Sequence, residues 1–328
     1  MTLPMPTFAD IEDARKRLEG FAVQTPVIES HHLNQLVRGR ILIKAESLQR
    51  TGSFKFRGAW NRISRLARET AKGGVVAYSS GNHAQGVAAA AQISGLPALI
   101  VMPADTPEIK KANTQSYGAE IVTYDRASES REAVAARIAS ERSAVIVPPF
   151  EDPHIIAGQG TVGLELAEQA AAADAKLDAI LVGCSGGGLA AGIALAIEAN
   201  SPSTAIFVVE PEGFDDYGRS LRSGERQRNA KASGSICDAL LSPEPGRLTF
   251  AINQPRLAGG LAVSEADVKG AMRYAFERLK LVIEPGGAVG LAAVLAGKID
   301  TQGRVLGIIA SGGNVDAALF AGIISEKP

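Results

Sequence analysis

Cysteine, net charge and long apolar runs are all scarce in this sequence. Only Cys184 and Cys237 occur in 328 residues, in no metal-binding spacing, which excludes a disulfide framework and indicates a reducing compartment. A formal net charge of −1 gives no electrostatic footprint for nucleic acid or anionic lipid. Residues 1–18 lack the apolar core of a signal peptide, and runs such as 189–197 are too short to span a bilayer. We therefore expect a cytoplasmic protein with neither nucleic-acid nor membrane partners.

Strand-like and helix-like segments alternate through most of the chain, which has the 46% hydrophobic content of a globular protein. Strands are predicted at 41–44, 75–78, 98–102, 121–124, 144–147, 179–182, 206–209 and 305–309. Residues 213–262 show no regular pattern, and 263–279 reads as one amphipathic helix capped by Ser264.

The alternation predicts an α/β fold with two domains, each built on a parallel sheet covered by helices. The smaller domain is placed at residues 73–148, and the larger one is assembled from 1–72 and 149–328. Ligands in such architectures bind at the carboxyl ends of the strands, so we expect the functional site in the cleft between the domains.

A single lysine lies between two phenylalanines in residues 51–59, Thr-Gly-Ser-Phe-Lys-Phe-Arg-Gly-Ala. The helical spacing that follows predicts a loop turning into a helix, with Ser53 as its N-cap. Lys55 would then lie in the first turn, where the helix dipole and the apolar neighbours both disfavour the ammonium form. A neutral amine is what Schiff-base chemistry requires. The alternative is an ordinary surface lysine on an amphipathic helix.

Two further stretches place a turn between a strand and a helix. In residues 79–86, Ser-Ser-Gly-Asn-His-Ala-Gln-Gly, the amides at the helix start form an anion cradle suited to a carboxylate. Residues 185–189, Ser-Gly-Gly-Gly-Leu, let the backbone approach a phosphate closely and match neither the dinucleotide nor the Walker pattern. The alternatives are a generic strand–turn–helix connection for the first and close packing of helix on strand for the second.

Glu284 and Ser311 are the remaining candidate polar groups. They begin the segments Glu-Pro-Gly-Gly-Ala at 284–288 and Ser-Gly-Gly-Asn at 311–314, and each alone could be an ordinary helix cap or turn residue. Together with a reactive lysine, a carboxylate cradle and a phosphate cradle, they make up the parts of a pyridoxal-phosphate site.

The order of these motifs resembles that of the fold-type II pyridoxal-phosphate enzymes. The similarity covers essentially the whole chain and is greatest to the threonine/serine dehydratase and serine racemase group, hydroxyaspartate dehydratases included. It implies conversion of a β-hydroxy-α-amino acid (L-threonine, L-serine or 3-hydroxyaspartate) to a 2-keto acid and ammonia. Racemisation of serine or a relative, alone or as a second activity, is the alternative. A catalytically idle binding module on the same fold is the least favoured hypothesis.

The resemblance also implies roles for individual residues. Lys55 would bind the cofactor through an imine and then act as the base on the substrate Cα proton, with Ser80 as the second catalytic residue. The cofactor would be bound by Phe54, Lys55, Asn82, Ser185, Gly186, Gly187, Gly188, Leu189, Glu284 and Ser311. The substrate would be bound by Ser79, Ser80, Gly81, Asn82, His83 and Arg131.

Three of these positions refine the expectation. Ser185 stands where many relatives have a glycine, and its hydroxyl can add a bond. Ser80 stands where plain threonine dehydratases often have alanine; in racemases and hydroxyaspartate dehydratases of the group, a serine there protonates the opposite face of Cα. Arg131 matches an arginine that can bind a second substrate carboxylate, and the alternative is a solvated helix residue with an acidic partner.

The resemblance further implies a metal site. Glu210, Asp216 and the carbonyl of Phe214 match a divalent-cation site of the racemase-like members, and hard oxygen ligands suit Mg²⁺ or Ca²⁺. A pair of solvated carboxylates after a strand is the alternative. Relatives are commonly dimers, so we expect a homodimer.

Overall fold

The computed structural model describes residues 4–66 and 71–326. Its strands are β1 (Val27–Glu29), β2 (Arg40–Ala45), β3 (Val75–Tyr78), β4 (Ala98–Pro103), β5 (Glu120–Tyr124), β6 (Val145–Ile146), β7 (Ala179–Gly183), β8 (Ala205–Pro211), β9 (Gly259–Val263) and β10 (Val305–Ala310). Its α-helices are α1 (Phe8–Leu18), α2 (His31–Val37), α3 (Lys55–Ile63), α4 (Asn82–Ser94), α5 (Glu108–Gln115), α6 (Arg131–Arg142), α7 (Pro153–Ala172), α8 (Gly188–Asn200), α9 (Asp216–Ser223), α10 (Arg247–Asn253), α11 (Glu265–Tyr274), α12 (Pro285–Leu295) and α13 (Ala317–Ser325). None of these helices is long and apolar enough to cross a membrane.

The strands form two sheets. The six-stranded sheet has the order β1-β2-β10-β7-β8-β9, and within it only β1 runs antiparallel to its neighbour. The four-stranded sheet has the order β5-β4-β3-β6 and is entirely parallel. The predicted α/β architecture with two largely parallel sheets is confirmed. The domain boundaries drawn from the sequence stay a prediction.

The apolar runs of the sequence become strands that are buried on both faces. Every residue of β4, Ala-Leu-Ile-Val-Met-Pro, is buried, and so is β10 from Leu306 to Ala310. Continuous apolar runs of this kind belong to parallel strands with helices on both sides. Helix α12 is buried from Pro285 to Val294 and packs against β7 and β10. This packing brings Glu284, just before α12, beside the chain that leaves β10, where the amide of Glu284 donates to the Gly312 carbonyl at 3.0 Å.

The region 213–262, predicted to be irregular, contains α9, α10 and β9. These elements have only eight, seven and five residues, too few for a periodic pattern to emerge. Strand β9 begins with two glycines and is ordered by its parallel pairing with Phe207–Pro211 of β8. Its position is therefore set by tertiary contact, which local sequence does not reveal.

Two other local predictions need correction. The helix expected over 263–279 is capped by Ser264 as predicted, but α11 ends at Tyr274 and a π-helical turn, Ala275–Leu279, follows it. Ser53 does not cap α3: the residue before that helix is Phe54, which already has helical dihedral angles. The Ser53 hydroxyl is buried and has no hydrogen-bond partner among the described residues.

Candidate active site

One cavity of about 540 Å³ lies where β3, β7 and β10 end. Every residue predicted to bind the cofactor or the substrate lines it: Phe54, Lys55, Ser79, Ser80, Gly81, Asn82, His83, Arg131, Ser185, Gly186, Gly187, Gly188, Leu189, Glu284 and Ser311. The wall therefore draws on elements of both sheets, as expected for a site in the cleft between them. The three residues predicted to bind a metal do not line the cavity.

Lys55 is the first residue of α3, and its side chain enters the cavity. Its amine donates to the Pro149 carbonyl at 2.9 Å and lies 5.1 Å from the centre of the Phe54 ring. No carboxylate pairs with it at hydrogen-bonding distance in the described chain, so burial is poorly compensated. Burial lowers the pKa of Lys55 to about 8, although the charge of Glu284 acts in the opposite direction. The neutral amine predicted from the sequence is thus within reach near neutral pH.

His83 is buried in the first turn of α4, and its ring points toward the chain that follows β6. Its Nε2 lies 2.9 Å from the Val147 carbonyl, which can only accept, so Nε2 carries the proton. Burial and the neighbouring charge of Lys55 lower the pKa of His83 to about 3. Nδ1 is a buried acceptor without a partner within residues 4–66 and 71–326. A substrate carboxylate at this turn would therefore meet backbone amides, because the imidazole offers it no N–H.

Glu284 and Asn82 form a hydrogen-bonded pair in the cavity wall. The Asn82 amide nitrogen donates to Glu284 Oε1 at 2.6 Å, and its oxygen accepts from Asn314 Nδ2 at 2.7 Å. Burial raises the pKa of Glu284 to about 7, while the hydrogen bond from Asn82 acts the other way. Asn314 ends the segment 311–314, for which the sequence predicts no role at that position. Its contact with Asn82 is seen only in the structure.

The segment 185–189 is shaped as a cradle before α8. Gly187 has the left-handed φ of 90°, and a Cβ at that position would lie 2.4 Å from the Tyr217 hydroxyl oxygen. At Gly186 a Cβ would lie 2.3 Å from the Phe150 ring. Only glycine fits these two positions. The first residues of α8, where helix amides have no partner within the helix, line the cavity.

Side chains from residues 213–262, the region predicted to be irregular, support this cradle. Thr249 Oγ1 donates to the Gly186 carbonyl at 2.5 Å, and Asn253 Nδ2 donates to the Gly187 carbonyl at 3.1 Å. Ser185 Oγ donates to Ser242 Oγ at 2.8 Å and accepts from the Ser242 amide at 3.1 Å. The Ser185 hydroxyl is thus used within the chain, and it links the cradle to the cavity wall at 238–242.

Two cationic side chains line the cavity near its rim. Arg131 lies with its guanidinium 5.5 Å from the centre of the Tyr78 ring and donates through Nε to Glu132 at 2.8 Å. Its terminal nitrogens are not used in a hydrogen bond to any described residue. Lys110 on α5 pairs with Asp238 at 2.6 Å across the cavity. Sequence reasoning missed Lys110 and Asp238, since nothing local connects α5 with residue 238.

Of the predicted metal ligands, Glu210 lies near the end of β8, and Phe214 and Asp216 lie at the start of α9. Both oxygens of Glu210 accept backbone amides, from Tyr217 at 2.9 Å and Gly218 at 2.8 Å. Asp216 accepts from Asn229 through Oδ1 at 2.6 Å, and its buried Oδ2 lacks a partner within the described ranges. Burial raises the pKa of Asp216 to about 6. In the part of the chain that is described, no three His, Cys, Asp or Glu side chains cluster as a metal site.

Comparison with known proteins identifies the class. Residues 18–312 match the family described as pyridoxal-phosphate dependent enzyme, and the chain belongs to that family. It is similar to an L-threo-3-hydroxyaspartate ammonia-lyase from Pseudomonas sp, with 42% identity over 98% of this chain and 99% of the relative. It is also similar to a serine racemase from Schizosaccharomyces pombe, with 38% identity over 99% of each chain. Among solved structures, a threonine deaminase from T.th. superposes with a TM-score of 0.89 and 43% identity over 95% of this chain and 99% of that one.

Proposed function

We propose that this protein is a pyridoxal-phosphate-dependent ammonia-lyase that converts a β-hydroxy-α-amino acid to a 2-keto acid and ammonia. The observation that carries the proposal is the placement of the Lys55 amine and the 185–189 cradle on one cavity. The names of the similar proteins, a hydroxyaspartate ammonia-lyase and a threonine deaminase among them, support the same reaction class.

The residues present fit the cofactor. A half-buried amine whose hydrogen-bond partner in the described part of the chain is a backbone carbonyl suits imine formation. A glycine cradle at the start of a helix suits a phosphate group. Pyridoxal phosphate, when bound, supplies the aldehyde that condenses with an amine and the ring that withdraws electrons from Cα. Residues 185–189 would hold its phosphate, and Ser311 would face its ring nitrogen. The hydroxyl of Ser311 is neutral, so it would not fix a full positive charge there.

Lys55 Nζ is the group that accepts the Cα proton in this proposal. Its pKa of about 8 keeps a useful fraction of neutral amine near pH 7–8 and still allows it to return the proton. Overall, the substrate loses its β-hydroxyl and a Cα proton as water, and a second water then releases ammonia and the keto acid. Backbone amides at the start of α4 would hold the α-carboxylate.

Arg131 favours a dicarboxylic member of the substrate class, 3-hydroxyaspartate. Its guanidinium lines the cavity with terminal N–H groups available, and such a fork binds a carboxylate in a bidentate way. L-serine and L-threonine have no second carboxylate and would leave this group unused.

Arg131→Ala tests this assignment with a panel of L-threo-3-hydroxyaspartate, L-serine and L-threonine, assayed for ammonia and keto acid. We expect kcat/KM for hydroxyaspartate to fall at least about tenfold, mainly through KM, with changes under about threefold for the other two. Arg137→Ala is the matched control, because Arg137 lies exposed on the same helix and outside the cavity. Equal losses on all three substrates would refute the role of Arg131.

Lys55→Ala tests the reaction itself. The variant should show neither the visible absorbance of the lysine–cofactor imine nor keto-acid production. Keto acid formed at the wild-type rate would disprove the assignment of Lys55.

Racemisation is the second candidate, because Ser80 and Lys55 line the same cavity and could serve two faces of Cα. The similarity to a serine racemase supports it. Ser80→Ala should remove the D-isomer from chiral analysis of the products and spare ammonia release. Unchanged racemisation would dismiss the role given to Ser80.

We also propose a divalent cation, Mg²⁺ or Ca²⁺, at Glu210, Asp216 and the Phe214 carbonyl. The support is the unpartnered buried Oδ2 of Asp216 and the burial of two carboxylates that repel each other. Millimolar MgCl₂ or CaCl₂ should raise the melting temperature of chelator-treated protein, and Asp216→Asn should abolish that rise. An unchanged melting temperature in the native protein would argue against the site.

A further inference from the structure

The side-chain amide of Asn82 is engaged on both sides. Its nitrogen donates to Glu284 Oε1 at 2.6 Å, and its oxygen accepts from Asn314 Nδ2 at 2.7 Å. An amide nitrogen carries two hydrogens, and one of those on Asn82 is used in a hydrogen bond to a described residue. Because Asn82 lines the cavity, its second N–H is the group left to meet a ligand.

A further contact of Asn314, with Thr51, sets the direction of these hydrogen bonds. Asn314 Nδ2 also donates to the Thr51 carbonyl at 2.7 Å, and a carbonyl can only accept. The Asn314 nitrogen must therefore face both Thr51 and Asn82. If the Asn82 amide were rotated by 180°, two N–H groups would oppose each other.

Thr51 holds its carbonyl in place through an unusual backbone conformation. Its φ of 64° and ψ of 14° lie in the left-handed region, which a β-branched residue seldom adopts. Such strain persists only where the surrounding structure enforces it, and it often marks a functional site. At the other end, Glu284 Oε1 remains an acceptor whether or not Oε2 carries a proton, so the chain of hydrogen bonds has one consistent direction.

We propose that Glu284 and Asn314 are positioning residues that fix the Asn82 amide in one orientation, which presents an N–H to the cavity. Asn82 is then a donor toward the bound molecule, and it selects an acceptor oxygen there. This inference rests on the proposed function, because pyridoxal phosphate is the molecule expected next to Asn82. Glu284 and Asn314, which both lie outside α4, then set the strength of the contact between Asn82 and that molecule.

The test compares Glu284→Gln with Glu284→Leu. Both variants remove the carboxyl, but glutamine keeps an oxygen that can accept from Asn82 and leucine does not. Asn314→Ala removes the other contact. Asn113→Ala is the matched control, since Asn113 lines the same cavity and its side chain makes no hydrogen bond to a described residue. Two readouts are used: the Kd of the apoprotein for pyridoxal phosphate, and the side-chain amide signals of ¹⁵N-asparagine-labelled apoprotein.

We expect Glu284→Leu and Asn314→Ala to raise the Kd at least about tenfold, the usual effect of losing a charge-assisted or buried hydrogen bond. Glu284→Gln and Asn113→Ala should stay within about threefold of wild type. In the apoprotein, the two Asn82 amide protons should be separated in chemical shift more than those of a solvated asparagine. This extra separation should persist in Glu284→Gln and shrink towards the solvated value in Glu284→Leu and Asn314→Ala.

Equal Kd values for Glu284→Gln and Glu284→Leu would overturn the proposal, and so would unchanged Asn82 signals in Asn314→Ala. If Glu284→Leu does not fold, Asn314→Ala with its control decides the question alone. A wild-type protein that fails to bind pyridoxal phosphate would contradict the proposed function instead. The amide signals of the apoprotein would even then support or refute the orientation.

Discussion

Arg57 and Lys55 are cations two residues apart, the first fully buried and the second half-buried, and they have opposite surroundings. The Arg57 guanidinium is fully buried between two carboxylates, with bonds of 2.8 Å to both oxygens of Glu46 and of 2.6 and 2.8 Å to the oxygens of Glu165. Burial works against its charge, but these partners raise the pKa of Arg57 above its usual value. Within the described residues, the Lys55 amine has one hydrogen-bond partner, the Pro149 carbonyl, and its pKa falls.

The difference shows what makes a buried cation structural or reactive. Glu165 also accepts from Lys44 at 2.6 Å, so two cations and two carboxylates compensate one another beneath α3. A complete set of partners fixes the charge and the geometry, whereas an incomplete set leaves an amine that can lose its proton. Arg57, with its full set of partners, anchors α3, and the same helix presents the labile amine of Lys55.

The largest effect is expected for Arg57→Met. This change leaves Glu46 and Glu165 buried without their main partner, and we expect the free energy of unfolding to fall by about 5 kcal/mol. Urea denaturation measures it, with Arg137→Met as an exposed control. A loss below about 1 kcal/mol would mean that the two carboxylates are neutralised at little cost.

His83 gives a second test of the difference between the Arg57 network and the cavity around Lys55. Unlike Arg57, it is buried in its neutral form. Its folded pKa of about 3 lies below the ordinary value of 6.5, so its contribution to stability is complete above pH 6.5 and declines as the pH falls toward 3. Between pH 7 and pH 5 the wild type should lose about 2 kcal/mol more than His83→Gln does. Parallel pH curves for the two proteins, from urea denaturation, would contradict this interpretation.

Lys55→Met should have the opposite sign to Arg57→Met. At pH 7 the amine is mostly protonated and poorly compensated, so its removal should raise the free energy of unfolding of the apoprotein by about 1 kcal/mol. The gain stays small because the Lys55 side chain is only half-buried and faces the cavity. Comparing urea denaturation at pH 7 and above pH 9 checks the cause, since the gain should shrink once the wild-type amine is neutral. A stability loss at pH 7 would refute it.

The smallest effect is expected at the cavity rim, where Lys110 and Asp238 pair while partly exposed to solvent. Lys110→Met, Asp238→Asn and the double variant should give a coupling energy of about 0.5 kcal/mol at low salt and less at high salt. A double-mutant cycle of urea midpoints measures this coupling. A value above about 2 kcal/mol would place this pair with the buried network rather than with the surface.

The sequence indicated the residues that line the cavity better than the contacts that support them. The lysine segment, the two cradles and the α/β class followed from local patterns, because strands and helix starts leave short-range signals. The partners that set their properties lie far along the chain: Pro149 for Lys55, Val147 for His83, and Thr249 for Gly186. Contacts across such distances depend on how the sheets and helices pack, and a single sequence does not encode them in any local pattern.

The connection that leaves β6 has a mechanical consequence. Its Val147 and Pro149 carbonyls contact His83 and Lys55 respectively, and this short stretch leads from the four-stranded sheet towards α7. A shift of the backbone at 147–149 would therefore disturb both contacts at once. A substitution in this short stretch would alter the surroundings of the imidazole and of the amine together, although neither side chain is itself replaced.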